Sequence, residues 1–248
     1  MTHVSTTLVA LLALAVADAA GALSIGQTDD FQSGTTEDWI SGVSNPFPPT
    51  TVPDGGPAGA GDTYLRMRSN GTAGAGGRLV VFNPAQWAGD YTSAGIASIT
   101  MDVFNFGPSD LSLRLMFMDP TTGPPANVAV STNGVFVPVG GGWTAVTFPV
   151  LASDLTALLG SANAALSNTT LLRFFHGIDT EHRPPQPVLA TLGVDNICAL
   201  GADGDASVCG GGGTPVPEPG TLALLGVGMI GLMVGRRHSA AANAARLR

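Results

Sequence analysis

Ala97-Ser98-Ile99-Thr100-Met101-Asp102-Val103-Phe104 and, one turn later, Leu111-Ser112-Leu113-Arg114-Leu115-Met116-Phe117 decide the fold class. In the first stretch Ile99, Met101 and Val103 alternate with Ser98, Thr100 and Asp102. In the second, Leu111, Leu113, Leu115 and Phe117 share one side. A repeat of two residues sends successive side chains to opposite faces of an extended backbone, so each stretch is a strand with one face in a core. Phe106-Gly107-Pro108 is the turn between them.

Working outward, the same pattern recurs in shorter pieces. Thr63 to Arg68 sets Leu65 and Met67 against Arg66 and Arg68, and further strands are expected at Arg78 to Phe82, Asn127 to Ser131, Val135 to Val139, Trp143 to Val150, Leu171 to Phe175 and Val188 to Ala199. Asn133-Gly134 between two valine-rich runs predicts a tight hairpin. Only Ala152 to Leu159 reads as a helix, capped by Ser153 or Asp154. Many short strands with one short helix predict an all-β protein, a two-sheet antiparallel β-sandwich. Pro46 to Ala60 is a long loop rich in proline and glycine, and Gly140-Gly141-Gly142 is a looser joint. There is no internal repeat and no second globular domain; residues 23–209 form the body and 210–215 a flexible linker.

Both ends of the chain are apolar. Leu8 to Ala17 is uninterrupted, and Ala17-Asp18-Ala19 or Ala20-Gly21-Ala22 offers small-residue cleavage sites, so residues 1–22 read as a signal peptide. Residues 221–235 contain no charge, and Leu222, Leu224, Leu225, Val227, Met229, Ile230, Leu232, Met233 and Val234 dominate them. A helix apolar all round is at home in lipid. Fifteen residues reach about 22 Å, short of a hydrocarbon core of about 30 Å. Arg236 and Arg237 make up the difference by snorkelling. Arginines on the far side predict a transmembrane helix with its C-terminus, including the tail 239–248, in the cytoplasm.

The formal net charge is −8, there is no lysine, and four of the ten arginines follow Gly235, so the body is more acidic than the total suggests. Such a body lacks the basic patches that nucleic acid or anionic lipid require, and it suits recruitment of divalent cations. The two cysteines, Cys198 and Cys209, bracket a polar segment with Asp203-Gly204-Asp205 at its tip. Outside the cytoplasm they predict a disulfide, since two cysteines without a neighbouring histidine make a poor zinc site.

The residues that could carry chemistry are few. His176, Asp179, Glu181 and His182 lie in one segment, where histidine and carboxylate could coordinate a transition metal or exchange protons, or simply form a surface loop. Trp39, Trp87, Tyr91 and Trp143 are candidates for stacking on sugar rings, or else core residues. The chain has no Gly-x-Ser-x-Gly elbow, phosphate loop, His-Glu-x-x-His or cysteine nucleophile, which favours a non-catalytic role. A pair of glycosidase carboxylates meets in space rather than in sequence, so a secreted hydrolase is the remaining catalytic alternative.

Val216-Pro217-Glu218-Pro219-Gly220, the apolar run to Gly235 and the arginine stop at Arg236-Arg237 occur in an order that resembles the PEP-CTERM sorting signal of exported bacterial proteins. The resemblance spans residues 216–238 and implies export, temporary anchoring in the inner membrane and cleavage by an exosortase near Pro-Glu-Pro. It implies delivery of the body to the cell surface or an extracellular polysaccharide matrix. The extension His238 to Arg248 departs from the pattern. A second resemblance concerns the body: Asp29-Asp30-Phe31 with Trp39 near its start, and Val194-Asp195-Asn196-Ile197 at its end, are similar to the ends of galactose-binding-like and carbohydrate-binding jelly-roll modules. It implies a jelly-roll-like sandwich with paired terminal strands. Asp30 and Asp195 would then supply hard oxygen ligands for a structural calcium, the alternative being that each satisfies turn backbone or faces water. No other cofactor is expected, and polysaccharide is the expected ligand if the body binds one.

Overall fold

The computed structural model describes residues 23–119, 123–180 and 185–210. The segments expected to be a signal peptide (1–22), a sorting signal (216–238) with an apolar helix (221–235), a tail (239–248) and a linker beyond Gly210 lie outside the described residues.

The described chain forms twelve strands in two antiparallel sheets. The first sheet runs β2 (Thr50–Val52), β3 (Tyr64–Asn70), β12 (Leu189–Leu200), β5 (Ser98–Pro108) and β9 (Thr144–Pro149), with β1 (Thr28–Asp29) paired to the far end of β12. The second runs β10 (Leu155–Leu159), β7 (Asn127–Ser131), β6 (Leu111–Asp119), β11 (Leu171–His176) and β4 (Val80–Asn83), with β8 (Val135–Val137) also on β6. The alternation read from the sequence explains the layering. Ile99, Met101 and Val103 of β5 face Leu111, Leu113, Leu115 and Phe117 of β6 in one core, all at most 1% exposed. Met116, Val128, Val130 and Phe175 form a second, smaller apolar cluster on the opposite face of the second sheet. The architecture is the expected two-sheet antiparallel sandwich, and its first and last strands pair, with Thr28 opposite Cys198 and Asp29 opposite Ile197. No helix among the described residues is long and apolar enough to cross a membrane.

Two expectations are corrected. The helix predicted at Ala152 to Leu159 is a 3-10 turn, Ala152–Asp154, running into strand β10. The free edge of β7 takes up that segment, pairing Leu155 with Ser131 and Thr156 with Val130, and ladder bonding outweighs local helix preference. The helix lies further on, α1 (Ala162–Ser167), where the Ser161 hydroxyl accepts from the Ala164 N–H at 3.1 Å and Ala165 and Leu166 enter the core.

Asn133-Gly134 does not close a hairpin. Val130 pairs with Met116 and Val135 with Leu113, so β7 and β8 lie end to end along the same neighbour β6. The Arg114 guanidinium explains the break: it donates to the carbonyls of Ser131 (2.5 Å), Thr132 (2.8 Å) and Gly177 (2.8 Å), holding the chain out of the ladder. A Cβ on Gly134 would collide with the Ser112 hydroxyl.

Candidate functional site

The outward residues of the first sheet gather rings. On β5, Phe104 and Phe106 point away from the core because Val103 and Asn105 point into it. Phe104 pairs with Gly193 of β12, whose other neighbour is Arg66 of β3. Trp143, just before β9, lies over that glycine: a Cβ there would sit 2.8 Å from the indole and 3.0 Å from the Phe106 ring. Glycine is therefore the floor of a four-ring cluster. Phe104 and Phe106 stack at 4.0 Å, Tyr64 meets Trp143 edge-on at 5.2 Å, and Trp143 is perpendicular to Phe106 at 6.5 Å. Phe106 is 42% exposed, while Phe104 and Trp143 are partly exposed. The Trp143 indole N–H donates to the Gly55 carbonyl at 2.9 Å, tying the loop between β2 and β3 to the cluster. Arg66 donates to the Thr50 hydroxyl at 3.3 Å, and Arg68 lies over the Phe47 ring at 5.5 Å.

Beside this cluster, carboxylates converge where the terminal strands pair. Asp195 is fully buried and sits opposite Asp102 on β5. A bulge follows it at Asn196, whose φ of 50° is in the left-handed region that asparagine tolerates. The Asn196 N–H donates to Asp195 Oδ1 at 2.8 Å, and Asp195 Oδ2 has no partner. Burial, and then the charges of Asp62, Asp102 and Asp30, push the Asp195 carboxyl up to about 8 against one opposing backbone hydrogen bond. Nearby, the Gln32 amide nitrogen faces three oxygens at once: Asp62 Oδ1 at 2.6 Å and the carbonyls of Asp30 and Thr63 at 3.3 Å each. The Asp30 side chain accepts from the Gln32 backbone N–H at 3.1 Å. No three His, Cys, Asp or Glu side chains among the described residues group closely enough to hold a metal by themselves. A cation here would draw on backbone oxygens as well as carboxylates, which is chemistry calcium accepts.

Three of the four stacking candidates are core residues, the alternative that the sequence left open. Trp39, Trp87 and Tyr91 are at most 1% exposed, so no surface sugar reaches them. Both indole N–H groups donate to Asp29 Oδ2, at 2.7 and 2.6 Å, and the Gln86 amide donates to Asp29 Oδ1 at 3.1 Å. The Tyr91 hydroxyl donates to the Trp87 carbonyl at 2.9 Å, and its ring meets Phe117 edge-on at 5.0 Å. Trp143 alone remains at the surface.

The histidine–carboxylate segment does not assemble a site among the described residues. His176 is buried, burial lowers its pKa, and its Nδ1 accepts from the Ser112 N–H at 3.0 Å. Asp179 lies near the Gln186 amide at 3.4 Å, and Glu181 and His182 fall outside the described residues. The predicted disulfide joins Cys198 to Cys209 with Cα atoms 5.7 Å apart. Within its loop Asp205 caps a 3-10 turn through the Ser207 N–H at 2.9 Å, so Asp203-Gly204-Asp205 is a polar tip.

Comparison with solved structures returns sandwiches of low identity. One is a family 11 carbohydrate-binding module from Clostridium thermocellum in complex with a β-1,3-1,4-mixed-linked tetrasaccharide (14% identity, 71% of this chain and 95% of that one, TM-score 0.46). Another is the xylan-binding CBM22-1 domain of a Paenibacillus barcinonensis protein (13% identity, 74% and 99%, TM-score 0.42). Comparison with curated proteins gives no match. Comparison with protein families gives one short match, and the conclusion is that residues 215–237 of this chain carry a PEP-CTERM protein-sorting motif.

Proposed function

We propose that this chain is a non-catalytic surface or matrix protein, cleaved and released by an exosortase, whose sandwich binds polysaccharide through the outer face of the first sheet. The sorting motif supports the route: export, an inner-membrane anchor with a cytoplasmic C-terminus, then cleavage near Pro-Glu-Pro. The four rings around Gly193 support the binding reading. A soluble sandwich has no folding reason to collect Phe104, Phe106 and Trp143 on its solvent side and leave them partly exposed. Sugar rings present apolar faces to such a platform, and Arg66 and Arg68 at its border are donors for their hydroxyls. In a glycan array or a polysaccharide pull-down, Trp143→Ala should reduce retention at least about tenfold, equivalent to about 1.4 kcal/mol. Retention equal to wild type would remove the platform from the reading.

A structural calcium belongs to the same proposal. Asp62, Asp195 and the carbonyls of Asp30 and Thr63 would hold it where the Gln32 amide nitrogen now donates to three of these oxygens, the Gln32 side chain swinging aside, with Asp30 and Asp102 adding negative field. The buried, unpartnered Asp195 Oδ2 is the observation that favours it, because such an oxygen is costly unless a cation or donor meets it. Calcium should raise the melting temperature, and Asp195→Ala should abolish that rise. A wild-type protein indifferent to calcium and chelator would reject the site.

A further inference from the structure

Two features described separately share one loop. Residues 54–62 fold on themselves: the Gly56 N–H donates to the Asp62 carbonyl at 2.9 Å, the Gly55 N–H to Gly59 at 3.1 Å, and the Gly61 N–H to Asp54 Oδ1 at 2.6 Å. The Asp62 side chain closes this loop from within, since its Oδ2 accepts from the Ala58 N–H at 2.7 Å. Its other oxygen, Oδ1, accepts from the Gln32 amide at 2.6 Å, in the position that a cation would take over from that amide. At the opposite end of the same loop, the Gly55 carbonyl receives the Trp143 indole N–H. One carboxylate therefore touches both the cation position and the loop that orients the platform's largest ring.

We propose that Asp62 couples the two sites: cation binding at its Oδ1 fixes the 54–62 loop, and the loop in turn fixes the Trp143 indole in the orientation that receives a sugar ring. This rests on the calcium and platform readings above. Asp62 is a positioning residue in this scheme, because it contacts neither the sugar nor Trp143. A cation that holds the loop in one position lowers the ordering cost left for the sugar. Linkage is reciprocal, so the polysaccharide must raise calcium affinity by the same factor that calcium raises polysaccharide affinity.

Intrinsic fluorescence tests this on the full-length chain in mild detergent, with melting temperature as the independent readout. After chelation, added calcium should change the tryptophan emission and raise the melting temperature. Trp143→Phe should keep the rise in melting temperature and lose the emission change, since Trp39 and Trp87 remain but no indole meets Gly55. Asp62→Asn should lose both. Calcium should also tighten polysaccharide binding at least about threefold in the wild type. A rise in melting temperature with no Trp143-dependent emission change would show the sites to be independent and overturn the coupling. Absence of any calcium effect would overturn the cation reading and the coupling together. A calcium-driven emission change without polysaccharide binding would overturn the platform reading, and with it the sugar half of the coupling, while the link from cation to indole stood.

Discussion

Asp29 was legible only as one of two adjacent aspartates. The terminal strand β1 is two residues long, too short for alternation to say which neighbour turns inward. Asp29 enters the core and gathers two indoles, whereas Asp30 stays at the surface and accepts a turn N–H. For Trp39 and Trp87 the sequence left stacking and core open, and the structure takes the core alternative. A tryptophan can be fully buried only where its N–H finds an acceptor, and the acceptor lies 10 residues away from one and 58 from the other. Glu37 is a second inward acid that the sequence does not announce. Burial first, then the charge of Asp29, raise its carboxyl to about 7, and its Oε2 has no partner. Between its ordinary value of 4.5 and about 7 the folded state binds more protons than the unfolded one, so stability falls as pH rises through that window. Glu37→Gln should flatten the fall and stabilise the protein at pH 8 by about 1–3 kcal/mol, the upper end being reduced because solvent reaches this half-buried group. Thermal melts from pH 4 to pH 9 give the slope; identical slopes in both proteins would remove Glu37 from the account.

At the scale of elements, alternation located the central strands well and the connections poorly. Leu111 to Phe117 and Ala97 to Phe104 carry their own periodic signal, and both sheets are built on them. The hairpin expected at Asn133-Gly134 and the helix expected at Ala152 to Leu159 depended on local preference, and neighbours decided both. Arg114 is the clearest case. It sits among leucines on a strand, reads as an outward residue, and instead is 5% exposed with its guanidinium spent on backbone carbonyls. Arg114→Met keeps the volume and leaves those carbonyls without a donor, so it should cost about 2–4 kcal/mol. Urea unfolding measures the loss. Amide exchange should show the added opening first near Thr132 to Val135, and uniform loosening of the whole fold would contradict the assignment.

For the whole molecule, the sequence separated address from cargo. The sorting motif at 215–237 and the sandwich of the body are independent statements, the first read from motif order and the second from strand periodicity. The crosslink between Cys198 and Cys209 was foreseeable from two cysteines with no neighbouring histidine, whereas the pairing of the terminal strands was implied only by the resemblance to jelly-roll modules. Replacing both cysteines by serine should cost about 2–3 kcal/mol for a loop this short, measured by comparing urea midpoints. The outer ring cluster was only partly foreseeable: Trp143 is visible as a tryptophan, but its company comes from two other strands, Tyr64 from β3 and Phe104 and Phe106 from β5.

The crosslink also decides how the body bears a pull. Tension on the chain beyond Gly210 reaches the sandwich through sulfur at Cys198, because the covalent bridge bypasses the segment between the two cysteines. It enters β12, which β5 flanks from Ala190 to Leu200, β1 at Ile197 and Cys198, and β3 from Leu189 to Val194, so the force is shared by ladders on both sides of a central strand. Peeling an edge strand breaks bonds one at a time, whereas shearing a central one must break many at once. Before cleavage, while its tail is still anchored, the body would resist drag best in this arrangement.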